Sequence, residues 1–266
     1  MSERLAVIDA AKQSGKSLED TSTFGRGDLL SMFLKAKEAK PDFFHDGRVL
    51  TMAVSMAFAG SETTGISLAA VFYYLVQNPE CYHKLVRQID DAARSGLIEE
   101  RPGGLVSWAE SQKLPYLDAC IREAFRLHPA PGLLLERIVP PDGADICGEH
   151  IPAGTIVGCN AWVIHRRPEV FGDDVETYRP ERWLEVTKEK RKEMDGTMLH
   201  FGMGSRTCIG KNISLLEMYK LIPSFLRRFE VFLAHPHREW KLHNAWFVRQ
   251  LDFDVLFKTR DRGVPE

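Results

Sequence analysis

The sequence lacks a strong net charge of either sign. Its 266 residues include 35 Lys and Arg against 37 Asp and Glu, which gives a formal net charge of -2 at pH 7. The basic residues are scattered, and the one dense patch, from Lys188 to Lys192, is interrupted by Glu189 and followed by Glu193. A solvated face has this mixed pattern, whereas a nucleic-acid-binding surface concentrates positive charge. We therefore expect no nucleic-acid partner.

Long apolar runs are also scarce. The N-terminal segment is polar and contains neither the apolar core of a signal peptide nor a transmembrane span. The most apolar stretch, residues 49–76, carries the polar run from Ser61 to Thr64 near its centre, which would be costly in lipid. We expect no membrane anchor here, and over this stretch a long helix buried in protein.

Cysteine is sparse and irregularly spaced. The five cysteines are Cys81, Cys120, Cys147, Cys159 and Cys208. Their number is odd, and no Cys-x-x-Cys or His-x-x-x-His pair is present, so neither a disulfide framework nor a zinc site is expected. This usage is typical of a reducing compartment. Four of the cysteines are interpreted as core or incidental residues, and Cys208 differs because of its neighbours.

Helix signals dominate the first half of the chain, and strand signals follow. Caps and prolines predict helices from Asp28 to before Pro41, from Asp46 to about Gln77, from Cys81 to about Arg94, over 114–128 and over 211–229. Short apolar runs between Pro, Gly and Asp predict short strands over 132–160, and alternation over 253–257 predicts a closing strand. The segment 165–200 has little periodicity and is predicted to be a long loop. The predicted class is mainly α with small β-sheets.

The clearest functional signal is the run FGMGSRTCIG, from Phe201 to Gly210. Its glycines let the backbone turn tightly and approach a flat ligand closely. The helix predicted just after Cys208 directs its N-terminal N–H groups at the sulfur, which favours a thiolate. Arg206 adds a positive charge suited to a carboxylate on a cofactor. The alternative is a glycine turn followed by a buried cysteine, but the full Phe-x-x-Gly-x-Arg-x-Cys-x-Gly spacing disfavours it.

This run resembles the haem-binding signature of the cytochrome P-450 superfamily. In that family the cysteine thiolate is the proximal ligand of a haem iron, and its electron donation favours cleavage of O₂. The resemblance implies that Cys208 binds the iron of haem b and that Arg206 pairs with a haem propionate. It also implies that Phe201 shields the sulfur.

The run AGSETT, in the middle of the long apolar helix, resembles a second motif of the same family. An acid and an alcohol inside an apolar helix are costly unless they serve a purpose. The family runs this helix over the distal face of the haem. The resemblance implies that Gly60 makes room for O₂ and that Glu62 and Thr63 manage protons. Taken alone, the run more often indicates a threonine hydroxyl bonded back to its own helix.

A third motif, Glu-x-x-Arg, places Glu123 and Arg126 on one helix face. The residues alone indicate an exposed ion pair worth at most ~1 kcal/mol. In the family this pair belongs to a buried structural network, and the resemblance implies that Arg182, in the run YRPERW, is its third member. It also implies that Arg137, on the first strand after this helix, contacts a haem propionate.

The resemblance covers residues 28–258, which follow a polar segment, 1–27, and precede a tail, 259–266. It implies a truncated P-450 fold: a long distal helix, the Glu-x-x-Arg helix, the meander (165–200), the cysteine-ligand loop (201–210) and the helix after it. The early helices, first strands and membrane anchor of a complete member are expected to be missing. Within the family, the sequence looks most like fungal enzymes of the pisatin demethylase type.

The resemblance implies a monooxygenase that inserts one oxygen atom from O₂ into a small apolar organic substrate. Its electrons would come from NADPH through a partner reductase. A non-catalytic haem-binding fragment of a truncated gene or gene model is the alternative, and a haem-free helical protein is disfavoured by the order of the motifs. Family members usually lie on the cytoplasmic face of the endoplasmic reticulum membrane, attached through the N-terminal part, whereas a chain without an anchor would be cytoplasmic.

Overall fold

A computed structural model describes residues 28–260, and the predicted polar segment 1–27 and the end of the tail lie outside them. The chain divides into two compact units, with the boundary between Ser61 and Glu62. The helices are α1 (Leu29–Ala39), α2 (Asp46–Gln77), α3 (Pro79–Arg94), α4 (Trp108–Ser111), α5 (Pro115–Leu127), α6 (Ala161–Ile164), α7 (Pro168–Phe171), α8 (Lys188–Thr197) and α9 (Lys211–Arg228). Short 3₁₀ turns occur at Pro102–Gly104, Pro180–Trp183 and Gly204–Arg206.

The strands form four antiparallel pairs. β1 (Leu135–Ile138) pairs with β4 (Ile156–Cys159), and β2 (Ala144–Ile146) pairs with β3 (Glu149–Ile151). β5 (Phe229–Leu233) pairs with β8 (Val255–Thr259), and β6 (Lys241–Asn244) pairs with β7 (Val248–Leu251). The strands predicted over 132–160 and the closing strand are present, and the protein is mainly α with small sheets, as predicted.

The first unit contains α1 and the beginning of α2. Asp28 caps α1 as predicted, because its carboxylate accepts a hydrogen bond from the N–H of Ser31 at 2.8 Å. Asp46 is the first residue of α2 rather than its cap, and the carbonyl of His45 accepts the first helical hydrogen bonds. Along this part of α2 several apolar side chains are exposed, with Phe58 at 64%.

The core of the second unit is built around α5. Ten residues of α5 are buried, because apolar side chains surround most of this helix, and α3 and α9 pack against it. α3 contributes an amphipathic stripe of Leu85, Ile89 and Ala92. α9 continues through Pro223, as predicted, and leads directly into β5.

The prediction of a long loop over 165–200 is wrong in part, because α7 and α8 lie within it. Thr187 caps α8 by accepting a hydrogen bond from the N–H of Lys190 at 3.2 Å. Met194 is the buried residue of this helix, so α8 lies on the surface without an apolar periodicity that the sequence could reveal. The dense basic patch belongs to α8. No helix within residues 28–260 is long and apolar enough to cross a membrane.

Candidate functional site

The cysteine-ligand loop turns tightly because two of its glycines adopt positive φ angles. Gly202 has a φ of 69° and Gly204 a φ of 68°, a region that side chains with a Cβ rarely adopt. The N–H of Cys208 donates to the carbonyl of Phe201 at 2.8 Å and closes the loop. Cys208 is solvent-exposed, so the loop presents its thiol to a ligand.

The sulfur of Cys208 lies beside the beginning of α9. Gly210 is the N-cap of this helix, and a Cβ placed on it would lie 3.7 Å from the Sγ of Cys208. The first turn of α9 contains no acidic residue. The positive end of the helix dipole therefore favours an anion at this position, and a thiolate is such an anion.

Two arginines accompany the loop. Arg137, on β1, donates through Nη2 to the carbonyl of Met203 at 2.9 Å, so β1 is attached to the loop. Arg206 is exposed, and its guanidinium has no hydrogen-bond or ion-pair partner within residues 28–260. An Arg without a carboxylate of its own is suited to the carboxylates of a cofactor.

A metal ion at Cys208 would need ligands from outside the protein. No group of three or more His, Cys, Asp or Glu in the described part of the chain could hold a metal ion. A haem fits this arrangement, because its ring supplies four nitrogen ligands and the protein need supply only one soft axial ligand. Positive charge near the loop fits the propionates of the same cofactor.

The polar run of α2 is tied to other elements of the second unit. Glu62 lies 3.5 Å from Arg249 Nη1, on β7. Thr64 is buried and donates through its hydroxyl to Ser214, on α9, at 3.2 Å, while the carbonyl of the partly buried Thr63 accepts a hydrogen bond from Ser67. The helix that carries the predicted proton-managing residues thus contacts the helix that follows Cys208.

Gly60 is the remaining predicted residue of α2, and it lies in the first unit. It is exposed, and a Cβ built on it would meet nothing within 4 Å. The space beside Gly60 is open. Its role in making room for O₂ stays a prediction.

Glu123, Arg126 and Arg182 lie together in the core, with 0%, 0% and 2% of their surfaces exposed. Glu123 accepts hydrogen bonds from Arg126 through Nη2 at 2.8 Å and Nε at 3.0 Å, and from Arg182 Nε at 2.8 Å. It also accepts from the Trp183 indole N–H at 2.8 Å and from the N–H of Arg179 at 3.0 Å. The exposed ion pair that the residues alone indicate is therefore excluded, since this carboxylate is buried and fully hydrogen-bonded.

Asp174 completes this network, and the sequence did not point to it. Its carboxylate accepts from Arg182 Nη1 at 2.8 Å and from Arg179 Nε at 2.7 Å. Burial acts to raise the pKa of Asp174, but the hydrogen bonds from Arg182 and Arg179 outweigh it and lower that pKa to about 2. Arg249 and Ser214 were missed in the same way. The contacts of Arg249 and Ser214 join distant segments, and no local sequence pattern marks any of the three residues.

Three histidines are held neutral by burial. Burial is the largest cause that lowers the pKa of His128 and His165 to about 4, and it holds the pKa of His200 well below the usual range. His128 Nε2 bonds the carbonyl of Val248 at 3.0 Å, whereas His200 Nδ1 has no partner in the part of the chain that the structure describes.

Because these histidines are neutral in the folded protein, we expect the free energy of unfolding to fall as the pH drops below neutral. An unfolded histidine has a pKa of about 6.5, so unfolding takes up protons between pH ~6.5 and ~4, and the stabilisation is complete only above that range. In His128→Gln the amide can still bond Val248, and the pH dependence of the unfolding free energy should decrease by about one proton. Urea unfolding from pH 7 to 5 measures this; equal slopes in wild type and variant would contradict it.

Comparisons with known proteins identify the family of the chain. A family model described as cytochrome P450 matches residues 3–253. The cytochrome P450 monooxygenase cicH of Emericella nidulans is 48% identical over 234 residues, which are 88% of this chain and 46% of that protein. The cytochrome P450 monooxygenase gsfF of Penicillium aethiopicum is 39% identical over 260 residues, covering 96% of this chain and 50% of that protein. The chain therefore spans about half the length of these fungal relatives.

The fold is also similar to that of a solved cytochrome P450. A crystal structure of a cytochrome P450 (CYP102L1) superposes with a TM-score of 0.76 at 23% identity, covering 97% of this chain and 55% of that chain. At this identity the superposition supports the fold alone, and it confirms the predicted fold class. Haem is the cofactor that the family implies, and its known members are oxidoreductases. From the match of the family model and the identity to fungal monooxygenases, the chain belongs to the cytochrome P450 family.

Proposed function

We propose that this chain carries the haem-thiolate part of a monooxygenase that inserts one oxygen atom from O₂ into a small apolar organic substrate. The observation that carries the proposal is Cys208: its thiol is exposed, lies at the beginning of α9 and is accompanied by the free guanidinium of Arg206. When bound, haem supplies the activation of O₂ and the oxidation of the substrate. The protein supplies the ligand and the surroundings.

Each predicted site residue has a role in this proposal. Cys208 would hold the iron of haem b, and the dipole of α9 would keep its sulfur anionic. Arg206 and Arg137 would pair with the propionates, and Arg137 also anchors the loop through Met203. Phe201, whose carbonyl holds the N–H of Cys208, would shield the sulfur from water.

Protons would move along α2. A carboxylate and a hydroxyl can each accept and release a proton, and Glu62 and Thr63 offer both groups on adjacent residues. The contact between Glu62 and Arg249 holds the carboxylate against β7. Gly60, one turn away, would leave the space for O₂.

Membership of the family supports a proposal for the partners, and the location is proposed by resemblance. We propose that a reductase passes electrons from NADPH, and that the protein works at the cytoplasmic face of the endoplasmic reticulum membrane, with the cytoplasm as the alternative. The narrower similarity to pisatin demethylase-type enzymes stays a prediction, since the relatives above are named only as cytochrome P450 monooxygenases.

The carbon monoxide difference spectrum of the reduced, haem-loaded chain tests the proposal. A thiolate ligand gives a red-shifted Soret band, and we expect this band in the wild type. Its absence from a folded, haem-loaded sample would overturn the proposal. If the band is present but no product forms with a reductase, the chain is instead a non-catalytic haem-binding fragment.

A further inference from the structure

His165 is fully buried at the junction between α5 and the segment that enters the cysteine-ligand loop. It is the C-cap of α6, and none of its surface is exposed. Its backbone carbonyl accepts a hydrogen bond from Arg126 Nη1 at 3.2 Å. No sequence motif marks this residue, because it lies in the irregular segment 165–200.

The imidazole of His165 donates one hydrogen bond and accepts another. Nδ1 lies 3.1 Å from the carbonyl oxygen of Arg126, and Nε2 accepts the N–H of Leu199 at 2.7 Å. A carbonyl can only accept and an amide N–H can only donate, so the ring must carry its proton on Nδ1 and a lone pair on Nε2. A neutral ring satisfies both bonds, and burial keeps the pKa of His165 at about 4.

Further hydrogen bonds continue from Leu199 to the ligand cysteine. The carbonyl of Leu199 accepts the N–H of Gly202 at 2.8 Å, and the carbonyl of Phe201 accepts the N–H of Cys208 at 2.8 Å. The imidazole of His165 therefore holds Leu199, the residue at which the turn to Gly202 begins. A shift of Leu199 would move both carbonyls that hold the loop closed.

The residues after Leu199 are held by ring contacts, which fix their position less strictly than hydrogen bonds do. The ring of His200 stacks on Phe125 at 4.2 Å and contacts Phe201 at 4.5 Å. However, His200 Nδ1 has no partner in the part of the chain that the structure describes, so this histidine contributes ring contacts without a directional bond from Nδ1. His165 supplies a directional contact from α5 to Leu199 itself, while Arg122, also on α5, binds Asp195 four positions earlier.

We propose that His165 is a positioning residue for Cys208: its neutral imidazole connects the C-terminal end of α5 to Leu199 and so sets the place of the cysteine sulfur. The inference rests on the proposed haem-thiolate function for its consequence, but the hydrogen bonds themselves do not depend on it. His165 touches no reacting group and acts through Leu199 and the loop.

Side chains of different reach test this role in the full chain. The Oε1 of glutamine lies three bonds from Cβ, as Nε2 of histidine does, and can accept the N–H of Leu199. Asparagine is one bond shorter and can replace only the contact to Arg126. We expect His165→Asn and His165→Phe to lose most of the red-shifted carbon monoxide band to a blue-shifted form, and His165→Gln to retain it.

Hydrogen exchange gives a second measurement that needs no haem. In the haem-free chain, the amides of Leu199 and Cys208 should exchange about tenfold faster in His165→Asn than in His165→Gln, as expected for the loss of one hydrogen bond. The matched control is His128→Phe, because His128 is equally buried but bonds Val248 on β7. This control should leave the band and both amides unchanged.

Three results would overturn the inference: a full band in His165→Asn, no rescue by glutamine, or an equal loss of band in His128→Phe, which would indicate a general loss of stability. A wild type without any red-shifted band would overturn the proposed function instead. In that case the exchange rates still decide whether His165 positions the loop.

Discussion

Replacing Cys208 with serine should abolish the red-shifted carbon monoxide band completely. A serine hydroxyl keeps the size of the side chain and leaves the backbone bond to Phe201 in place, but it does not ionise near neutral pH, so the anionic sulfur ligand is lost. Because Cys208 is exposed, the unfolding free energy should change by less than about 0.5 kcal/mol. Difference spectroscopy and urea unfolding measure the two quantities on one sample.

The other exposed cysteines provide the control for this substitution. Cys159→Ser, at the end of β4, and Cys147→Ser, in the turn between β2 and β3, should both keep the band. If the band survived in Cys208→Ser and disappeared in Cys159→Ser, the ligand would be Cys159, and the proposal for Cys208 would be wrong. A band that survives in all three single variants would contradict thiolate ligation by any one of these exposed cysteines.

Replacing Glu123 with glutamine should destabilise the protein by about 3–5 kcal/mol, the cost of breaking a buried ion pair from one side. The amide cannot neutralise the two buried guanidiniums of Arg126 and Arg182, and its NH₂ group would face donors where Glu123 now accepts. For a domain of ordinary stability this is a large share of the total. Urea unfolding measures the loss.

The matched control is Glu176→Gln, which removes a carboxylate from an exposed ion pair with Arg166. Screening by water limits that pair to less than about 1 kcal/mol. Similar losses in the two variants would mean that the five hydrogen bonds of Glu123 add little beyond a surface pair, contrary to the burial of the network.

Local signals explain which parts of the fold could be predicted from the sequence. The caps and prolines at Asp28, Pro79 and Pro129 act within one turn of a helix, so the predicted ends of the helices agree with the structure within a few residues. α8 carries a single buried side chain, Met194, and therefore has no apolar stripe to reveal it. β6 and β7 were missed because most of their residues are exposed.

In the candidate site, too, local signals could be predicted from the sequence and long-range contacts could not. Cys208 and Arg206 belong to one contiguous run, whose spacing reflects a loop that one backbone path can form. The positions of Arg137 and His165 depend on contacts between segments far apart in sequence. The bond from Arg137 to Met203 crosses 66 positions, and the bond from Leu199 to His165 crosses 34. Residue spacing alone does not encode such pairings.

The five hydrogen bonds of the Glu123 carboxylate also impose an order on folding. Arg126 is three residues away and can pair with Glu123 as soon as α5 forms, but Arg182 and Trp183 are 59 and 60 residues away. Loops of that length must close before these contacts form, and their closure entropy slows the step. We therefore expect the Glu123 carboxylate to gain Arg182 and Trp183 as donors only after the meander has docked on α5.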